Sequence, residues 1–308
     1  MGRHYPVLLQ ETLEALRVRP GGLWVDATLG RAGHAAAILD RSSPDGRLLG
    51  VDQDADAILE AGLKLEPYRG RFELRNENFS GLATLALPGS CDGVLMDLGV
   101  SSPQLDQAER GFSFQREGPL DMRMDRRQSL TAADVVNGSE EEELARIFWE
   151  LGEERASRRI ARAIAERRRG QRFETTLQLA AVIEKVSPRG GRATHPATRV
   201  FQALRCHVNN ECGSLRAGLT AACELLATAG RLAVITFHSL EDRAVKDFGN
   251  EHSRDYEFEG PVDDPLLRRP KQPDLRWVQR KAIMPGAAEL ECNPRSRSAQ
   301  LRVLEKLG

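Results

Sequence analysis

Over the first hundred residues, short apolar runs alternate with amphipathic stretches. Residues 7–16 place Leu9, Leu13 and Leu16 on one helical stripe that Pro20-Gly21-Gly22 terminates, a helix expected to cover an edge of a sheet. Trp24 to Asp26 reads as a first strand, and a Gly-containing turn leads into a helix from Ala35 to Leu39. Arg47 to Asp52 reads as a second strand, Ala55 to Leu65 as a helix, Arg71 to Asn76 as a third strand and Cys91 to Asp97 as a fourth. Strands separated by single helices predict an α/β fold with a doubly wound parallel sheet. The pattern changes at Leu105. From Thr131 to Arg205 the apolar spacing is helical without strand alternation, and after a helix over Leu215 to Ala227 the strand signal returns at Gly230 to Phe237 and again at Ser298 to Glu305. The expected organisation is therefore a sheet domain split into 1–104 and 207–308, with an all-helical insert at 105–206.

The turn after the first strand carries the first chemistry. In Thr28-Leu29-Gly30-Arg31-Ala32-Gly33-His34, Gly30 and Gly33 lack a Cβ, so a ligand can approach the main chain beside the free N–H groups of a helix start. Asp52 follows Gly30 by 22 positions, near the offset at which a nucleotide-binding βαβ unit places an acid for ribose hydroxyls. With two glycines the loop lacks the G-x-G-x-x-G spacing of a pyrophosphate binder. An adenosine ligand without a diphosphate, such as S-adenosylmethionine (SAM), suits it better. Asp97 ends the fourth strand at the same crevice, and Leu98 to Gln104, containing Ser101, forms a polar exit loop fit to hold a substrate. Phe79, just past the third strand, is placed either to face an adenine or to fill core.

Composition narrows the class. The net charge of −1 is neutral in total but uneven along the chain. Between Arg155 and Arg205 lie Arg155, Arg158, Arg159, Arg162, Arg167, Arg168, Arg169, Arg172, Lys185, Arg189, Arg192, Arg199 and Arg205, opposed by Glu166, Glu174 and Glu184. Ala156, Ile160, Ala163 and Ile164 form a narrow stripe that seats this helix, with Gly170 placed to cap it, which leaves the arginines for solvent or phosphate oxygens. The five cysteines form no C-x-x-C pair, so neither a disulfide framework nor a metal site is expected. No apolar run reaches membrane-spanning length and the first residues lack a signal-peptide core, which makes a cytoplasmic protein with no membrane partner the expectation. The segment from Pro261 to Arg302 is rich in Pro and Arg, and its pattern leaves open whether it closes over a substrate or is an irregular surface segment.

Several long strings then carry a resemblance. They are Pro6-Val7-Leu8-Leu9 with His4, the Asp26 to His34 loop, Asp92 to Asp106, Glu109-Arg110-Gly111-Phe112-Ser113-Phe114 and Gly118 to Asp125. Further on come Gly152-Glu153-Glu154-Arg155, His195-Pro196-Ala197-Thr198-Arg199, Phe237 to Arg243 and Asn293-Pro294-Arg295. Over nearly its whole length the chain resembles the bacterial 16S ribosomal RNA cytosine-N4 methyltransferases, the RsmH or MraW family. The resemblance implies a class I SAM-dependent methyltransferase fold with a helical insert, acting on a decoding-centre cytidine of 16S rRNA in the small subunit. Carried over by position, it implies cofactor contacts at Ala32, Gly33, His34, Asp52, Phe79, Asp97 and Gln104. Ala27 and Ala32 stand where many members have Gly, and Cys206-His207-Val208-Asn209-Asn210-Glu211-Cys212 replaces a more usual apolar and Asn-Ser-Glu pattern.

Methylating an exocyclic amine requires that its lone pair be aimed at the methyl donor, that its N–H groups be accepted and that water be excluded. Asp97, Ser101 and the carbonyls around it are suitably placed by topology, and His238 after the returning strand is a further candidate to orient substrate or take a proton. A cytosine-C5 methyltransferase would need a nucleophilic cysteine, and none lies on the exit loop. Two other readings stay open at this level: a non-catalytic RNA-binding protein on a methyltransferase fold, and a nucleotide-dependent oxidoreductase.

Overall fold

The computed structural model describes residues 5–188, 194–258 and 263–308; His4, Arg189, Arg192 and Pro261 lie outside them. The chain divides into two compact units, one formed by residues 1–99 and 212–308 and the other by 100–211.

The first unit begins with α1 (Leu9–Ala15), β1 (Leu23–Asp26), α2 (Gly33–Arg41), β2 (Arg47–Val51), α3 (Ala55–Leu65), β3 (Phe72–Arg75) and β4 (Cys91–Asp97). The second unit supplies α4 (Ser102–Asp106), α5 (Ala132–Gly138), α6 (Glu141–Glu150), α7 (Ser157–Arg168), α8 (Thr176–Val186) and α9 (Ala197–Val208). The first unit resumes with α10 (Glu211–Leu225), β5 (Leu226–Thr236), α11 (Ser239–His252), β6 (Tyr256–Phe258), β7 (Arg268–Pro270), β8 (Leu275–Trp277), α12 (Ala287–Cys292) and β9 (Gln300–Lys306).

Seven strands form one sheet in the order β3-β2-β1-β4-β5-β9-β8. The first five are parallel, but β9 runs antiparallel to β5 and β8 antiparallel to β9, so the sheet is mixed and not wholly parallel. Alternate residues of the inner strands enter opposite cores, as period-2 side-chain geometry requires. Trp24, Leu95, Ala233, Ile235, Leu301 and Val303 pack with α1 and α2, whereas Val25, Val94, Met96, Leu232, Val234 and Leu304 pack with α10 and α11. Two buried faces make this a doubly wound α/β sheet.

Several local expectations need correction. The first helix does not cover an edge: α1 packs on α2 and on β5, and Arg231 of β5 donates to the Ala15 carbonyl at 2.7 Å. The helix expected to run to Ala227 stops at Leu225, and β5 starts at Leu226, with Ala229 in the left-handed region and a register shift opposite Cys91 to Gly93. Leu275-Arg276-Trp277 is an edge strand of the sheet, not an irregular loop. The Pro103 stretch of the exit loop winds into α4.

In the second unit one core gathers Phe112, Leu120, Met122, Phe148, Ile160, Ile164, Phe173, Ile183, Phe201 and Leu204. The seam of α7 is Ser157, Ile160, Ala161, Ile164 and Ala165, shifted from the expected stripe because Ala156 and Ala163 are half-buried. Arg169, not Gly170, is the C-cap; Gly170 follows and donates to the Arg167 carbonyl at 3.2 Å. Among the described residues no helix is long and apolar enough to cross a membrane.

Candidate functional site

The carboxyl ends of β1, β2, β4 and β5 gather most of the first unit's candidate residues. The loop after β1 is tied to the end of β2: the Gly30 N–H donates to Asp52 Oδ2 at 2.8 Å and the Leu29 N–H to the Val51 carbonyl at 3.0 Å. Asp52 Oδ1 accepts from the Asp54 N–H at 2.9 Å, and Asn76 holds the Asp52 carbonyl from the side of β3. The carboxylate is thus fixed in orientation by main-chain donors while the residue stays partly exposed.

The two glycines of this loop serve different purposes. Gly30 has φ of 48°, and a Cβ there would meet nothing nearer than the Thr28 carbonyl at 3.9 Å, so the backbone lies open to an approaching group. Gly33 is required by the protein itself, since a Cβ would stand 2.4 Å from Cγ of Pro6. Ala32, the N-cap of α2, adopts φ of 53°, a left-handed conformation that a Gly would enter without strain. His34 is buried, and its Nε2 meets the Val7 carbonyl at 2.9 Å. A carbonyl can only accept, so Nε2 carries the proton, and Nδ1 then faces Asp97 Oδ2 at 3.7 Å.

Two acids sit below this loop. Asp26 is buried at the end of β1 and accepts from the Thr28 N–H at 3.3 Å. Burial pushes its carboxyl up to about 7, offset in part by the Thr28 amide and reinforced by the charge of Asp52. The backbone N–H of Asp97, at the end of β4, donates to the Thr28 hydroxyl oxygen at 2.5 Å. Asp97 Oδ1 is enclosed and has no hydrogen-bond partner among the described residues. Burial raises the Asp97 carboxyl well above the usual carboxylate range, and Asp26 and Glu241 raise it further.

At the end of β5, His238 is the N-cap of α11 in a reciprocal capping box with Glu241. Its Nδ1 accepts from the Glu241 N–H at 3.4 Å, and its Nε2 lies 3.0 Å from Glu241 Oε1, so both ring nitrogens are engaged. Glu241 Oε2 also accepts from the Phe237 N–H at 2.8 Å. Phe79 packs its ring against α10, where a Cβ on Gly218 would lie 2.4 Å from Phe79 Cδ2.

Ser101 and Gln104 belong to the second unit, where they pair with each other. Ser101 caps α4 and its N–H donates to Gln104 Oε1 at 2.9 Å, with the Gln104 side chain buried. Much of the conspicuous sequence in this unit is architectural. Arg110 holds the carbonyls of Arg123 and Met124, Asn209 binds the Met124 N–H and the Met122 carbonyl, and a Cβ on Gly118 would strike the Ala108 carbonyl at 1.8 Å.

The arginines divide into two kinds. Arg158, Arg159 and Arg169 are exposed, and Arg162, also exposed, lies 3.5 Å from Glu141. Arg167 grips Gln171 through its carbonyl and side chain at 2.8 Å each and lies over the Phe173 ring, while Arg168 donates to the Val136 carbonyl at 2.8 Å. Arg199 donates to the Glu153 carbonyl at 2.9 Å. The run 167–169 is therefore partly committed to closing the helix end.

Sequence reasoning gave no role to Asp26 or Glu241. Asp26 was marked only by its place at a strand end, and Glu241 by its position three residues after His238, a spacing that signals a capping box when the first residue is Ser or Thr.

A family model described as the MraW methylase family matches residues 1–307. The chain is similar to a ribosomal RNA small subunit methyltransferase H of Symbiobacterium thermophilum, 52% identical over 309 residues that cover 99% of this chain and 96% of that protein. Proteins of the same name from Carboxydothermus hydrogenoformans (49% over 308 residues, 99% and 98% covered) and Heliobacterium mobile (48% over 310 residues, 99% and 99% covered) are similar to the same extent.

Proposed function

The chain belongs to the MraW methylase family, and on that premise we propose that it transfers the methyl group of SAM to the exocyclic N4 of a decoding-centre cytidine in small-subunit ribosomal RNA. The observation that carries this reading is the Asp97 carboxyl at the end of β4. It is a half-buried acid whose enclosed Oδ1 has no hydrogen-bond partner among the described residues, with the buried Asp26 acting on it electrostatically. Buried acids without full satisfaction favour a ligand that brings positive charge or N–H donors, and a sulfonium beside an amine nucleophile brings both.

The residues fit such a cofactor. Asp52, held by Gly30 and Asp54, presents a carboxylate to ribose hydroxyls. The open backbone at Gly30, with Ala32, Gly33 and His34, forms the wall for the methionine part, and Phe79 borders the adenine side. SAM supplies the electrophilic methyl group when bound. The chain's own task is to accept an N–H of the cytosine amine at Asp97, which turns the nitrogen lone pair toward the methyl carbon, and to take the proton released as the C–N bond forms. Burial raises the Asp97 carboxyl above the ordinary carboxylate range, so its ionised form is a better acceptor for that proton than an ordinary aspartate. His238 acts as a positioning residue, since its nitrogens are held by Glu241. The exposed Arg158, Arg159, Arg162, Arg169 and Arg199 of the second unit take RNA phosphates, with Arg167 and Arg168 contributing charge from a fixed helix end. The target base leaves its stack to be methylated, at a cost of a few kcal/mol that such phosphate contacts offset.

The test is transfer of labelled methyl from SAM to small subunits and to naked ribosomal RNA, followed by nucleoside analysis. N4-methylcytidine is the expected product. Label in 5-methylcytidine, or none in either substrate, would overturn the assignment.

A further inference from the structure

The string Gly152-Glu153-Glu154-Arg155 has no part in the chemistry above, yet the second unit builds it with care. Gly152 is pressed against α9: a Cβ there would stand 2.5 Å from the Arg199 carbonyl. Glu153 adopts φ of 49°, a strained backbone for a side-chain-bearing residue, and strain of this kind collects at functional sites. Its N–H donates to the Trp149 carbonyl at 3.1 Å and its carbonyl accepts from Arg199 at 2.9 Å. Glu154 is buried and its Oε1 accepts from the Ala156 N–H at 2.8 Å, which fixes the turn into α7. On this rigid corner stands Trp149, 58% exposed, the most solvent-exposed aromatic side chain among the described residues. Arg155 and Arg199 are exposed on the same corner. The neighbouring acid Glu150 is engaged by Arg146 at 3.1 Å, which lowers the local cost of an anion.

A solvent-facing indole beside a rigid turn that carries the exposed Arg155 and holds Arg199 through the Glu153 carbonyl matches the chemistry of an unstacked nucleobase with its two phosphates. We infer that the corner between α6 and α7 binds a base of single-stranded RNA on the Trp149 ring, with flanking phosphates on Arg155 and Arg199. The inference rests on the RNA-methylating reading above and adds to it a specific contact outside the methyl-transfer site.

The test uses the full-length protein and a single-stranded RNA of about ten nucleotides, the length that such stacking surfaces span. Trp24 is buried and Trp277 half-buried, so Trp149 should dominate the fluorescence accessible to acrylamide. RNA should quench that emission and shield it, an effect absent from Trp149→Phe. Trp149→Ala should weaken RNA binding roughly tenfold while Trp149→Phe, which keeps a ring, retains most of it. Arg155→Gln should reduce the salt dependence of binding. SAM affinity should be the same in all three. Unchanged affinity in Trp149→Ala, acrylamide access unaltered by RNA, or shielding by RNA-free ribosomal proteins in place of RNA would each overturn the inference. If the unsubstituted protein methylates small subunits and Trp149→Ala does so with an unchanged KM, the corner fails while the function stands. If the unsubstituted protein methylates no RNA at all, the function fails first.

Discussion

Asp26 is a carboxyl that the fold holds partly protonated near neutrality, and the consequences for pH follow from the sign of that shift. Its pKa rises from an ordinary 3.8 to about 7 in the folded protein. Between those values the folded state binds the extra proton, so the stability it confers is full below pH 3.8 and is lost as pH rises to about 7. The rise is equivalent to at most about 4 kcal/mol. Asp97 acts in the same direction, whereas Glu305 and Asp242, which arginines hold low against their own burial, lose stability only as pH falls through the acid range. Asp26→Asn should therefore be close to the unsubstituted protein in stability near pH 4 and gain on it steadily toward pH 7 in urea unfolding; parallel curves would show that Asp26 ionises normally. A cationic cofactor favours the ionised acids, so SAM binding should release protons near pH 7 and tighten as pH rises from 6 to 8, and calorimetry in buffers of different ionisation enthalpy reads this directly. Asp52→Ala should weaken SAM by about 1.5–3 kcal/mol through loss of charge-assisted hydrogen bonds. Asp97→Asn should bind SAM but turn over far more slowly, and normal single-turnover methylation by that variant would remove the carboxylate from the mechanism. Asp52 and Asp97 were legible because each ends an apolar run at a strand terminus. The burial of Asp26 was not, since it depends on β2 and β4 closing around β1, and an acid at a strand end looks the same in sequence whether it is covered or not.

At the level of elements, α7 shows where pattern alone falls short. Its arginines were visible as a charge surplus, but their division between structure and solvent required the neighbouring α5 and the turn after the helix, which accept from Arg168 and Arg167. Replacing Arg158, Arg159 and Arg169 together by Gln should leave thermal stability nearly unchanged and lower the salt slope of RNA binding by about one for each phosphate that is no longer neutralised. Replacing Arg167 and Arg168 should instead destabilise the unit by roughly 1–3 kcal/mol, because the Val136 carbonyl and the Gln171 turn lose charged donors. Equal effects from the two sets in both measurements would erase the distinction. The strands of the sheet were legible to within a few residues wherever both faces are buried, as at β2 and β4. The direction of β9 was not, because alternation is the same read either way, and β8 was hidden because a three-residue edge strand leaves too little periodicity to see.

At the scale of the whole molecule, the two units carry separate cores, one on each face of the sheet in the first unit and one among the helices of the second. In sequence the hydrophobic period changes near Leu105, because a chain cannot serve strand and helix periods with the same spacing. The separation makes a prediction about linkage. A ligand stabilises whatever must be folded to bind it, by about 2.7 kcal/mol at a hundredfold excess over its Kd, which corresponds to roughly a hundredfold slower exchange of amides that open only by unfolding that region. The proposed cofactor groups Gly30, Asp52 and Asp97 are all in the first unit. Saturating SAM should therefore slow hydrogen exchange of core amides in β1, β2, β4 and β5 by about that factor and leave those of α6, α7 and α9 much as they were. Gln104 gives the experiment a second readout: if it touches the cofactor, the amides of α4 should gain protection alone among the helices of their unit. Equal protection of both cores would show that the units unfold together and that the division seen in the packing is not a division in stability; protection confined to the helices of 132–208 would move the cofactor out of the sheet unit altogether.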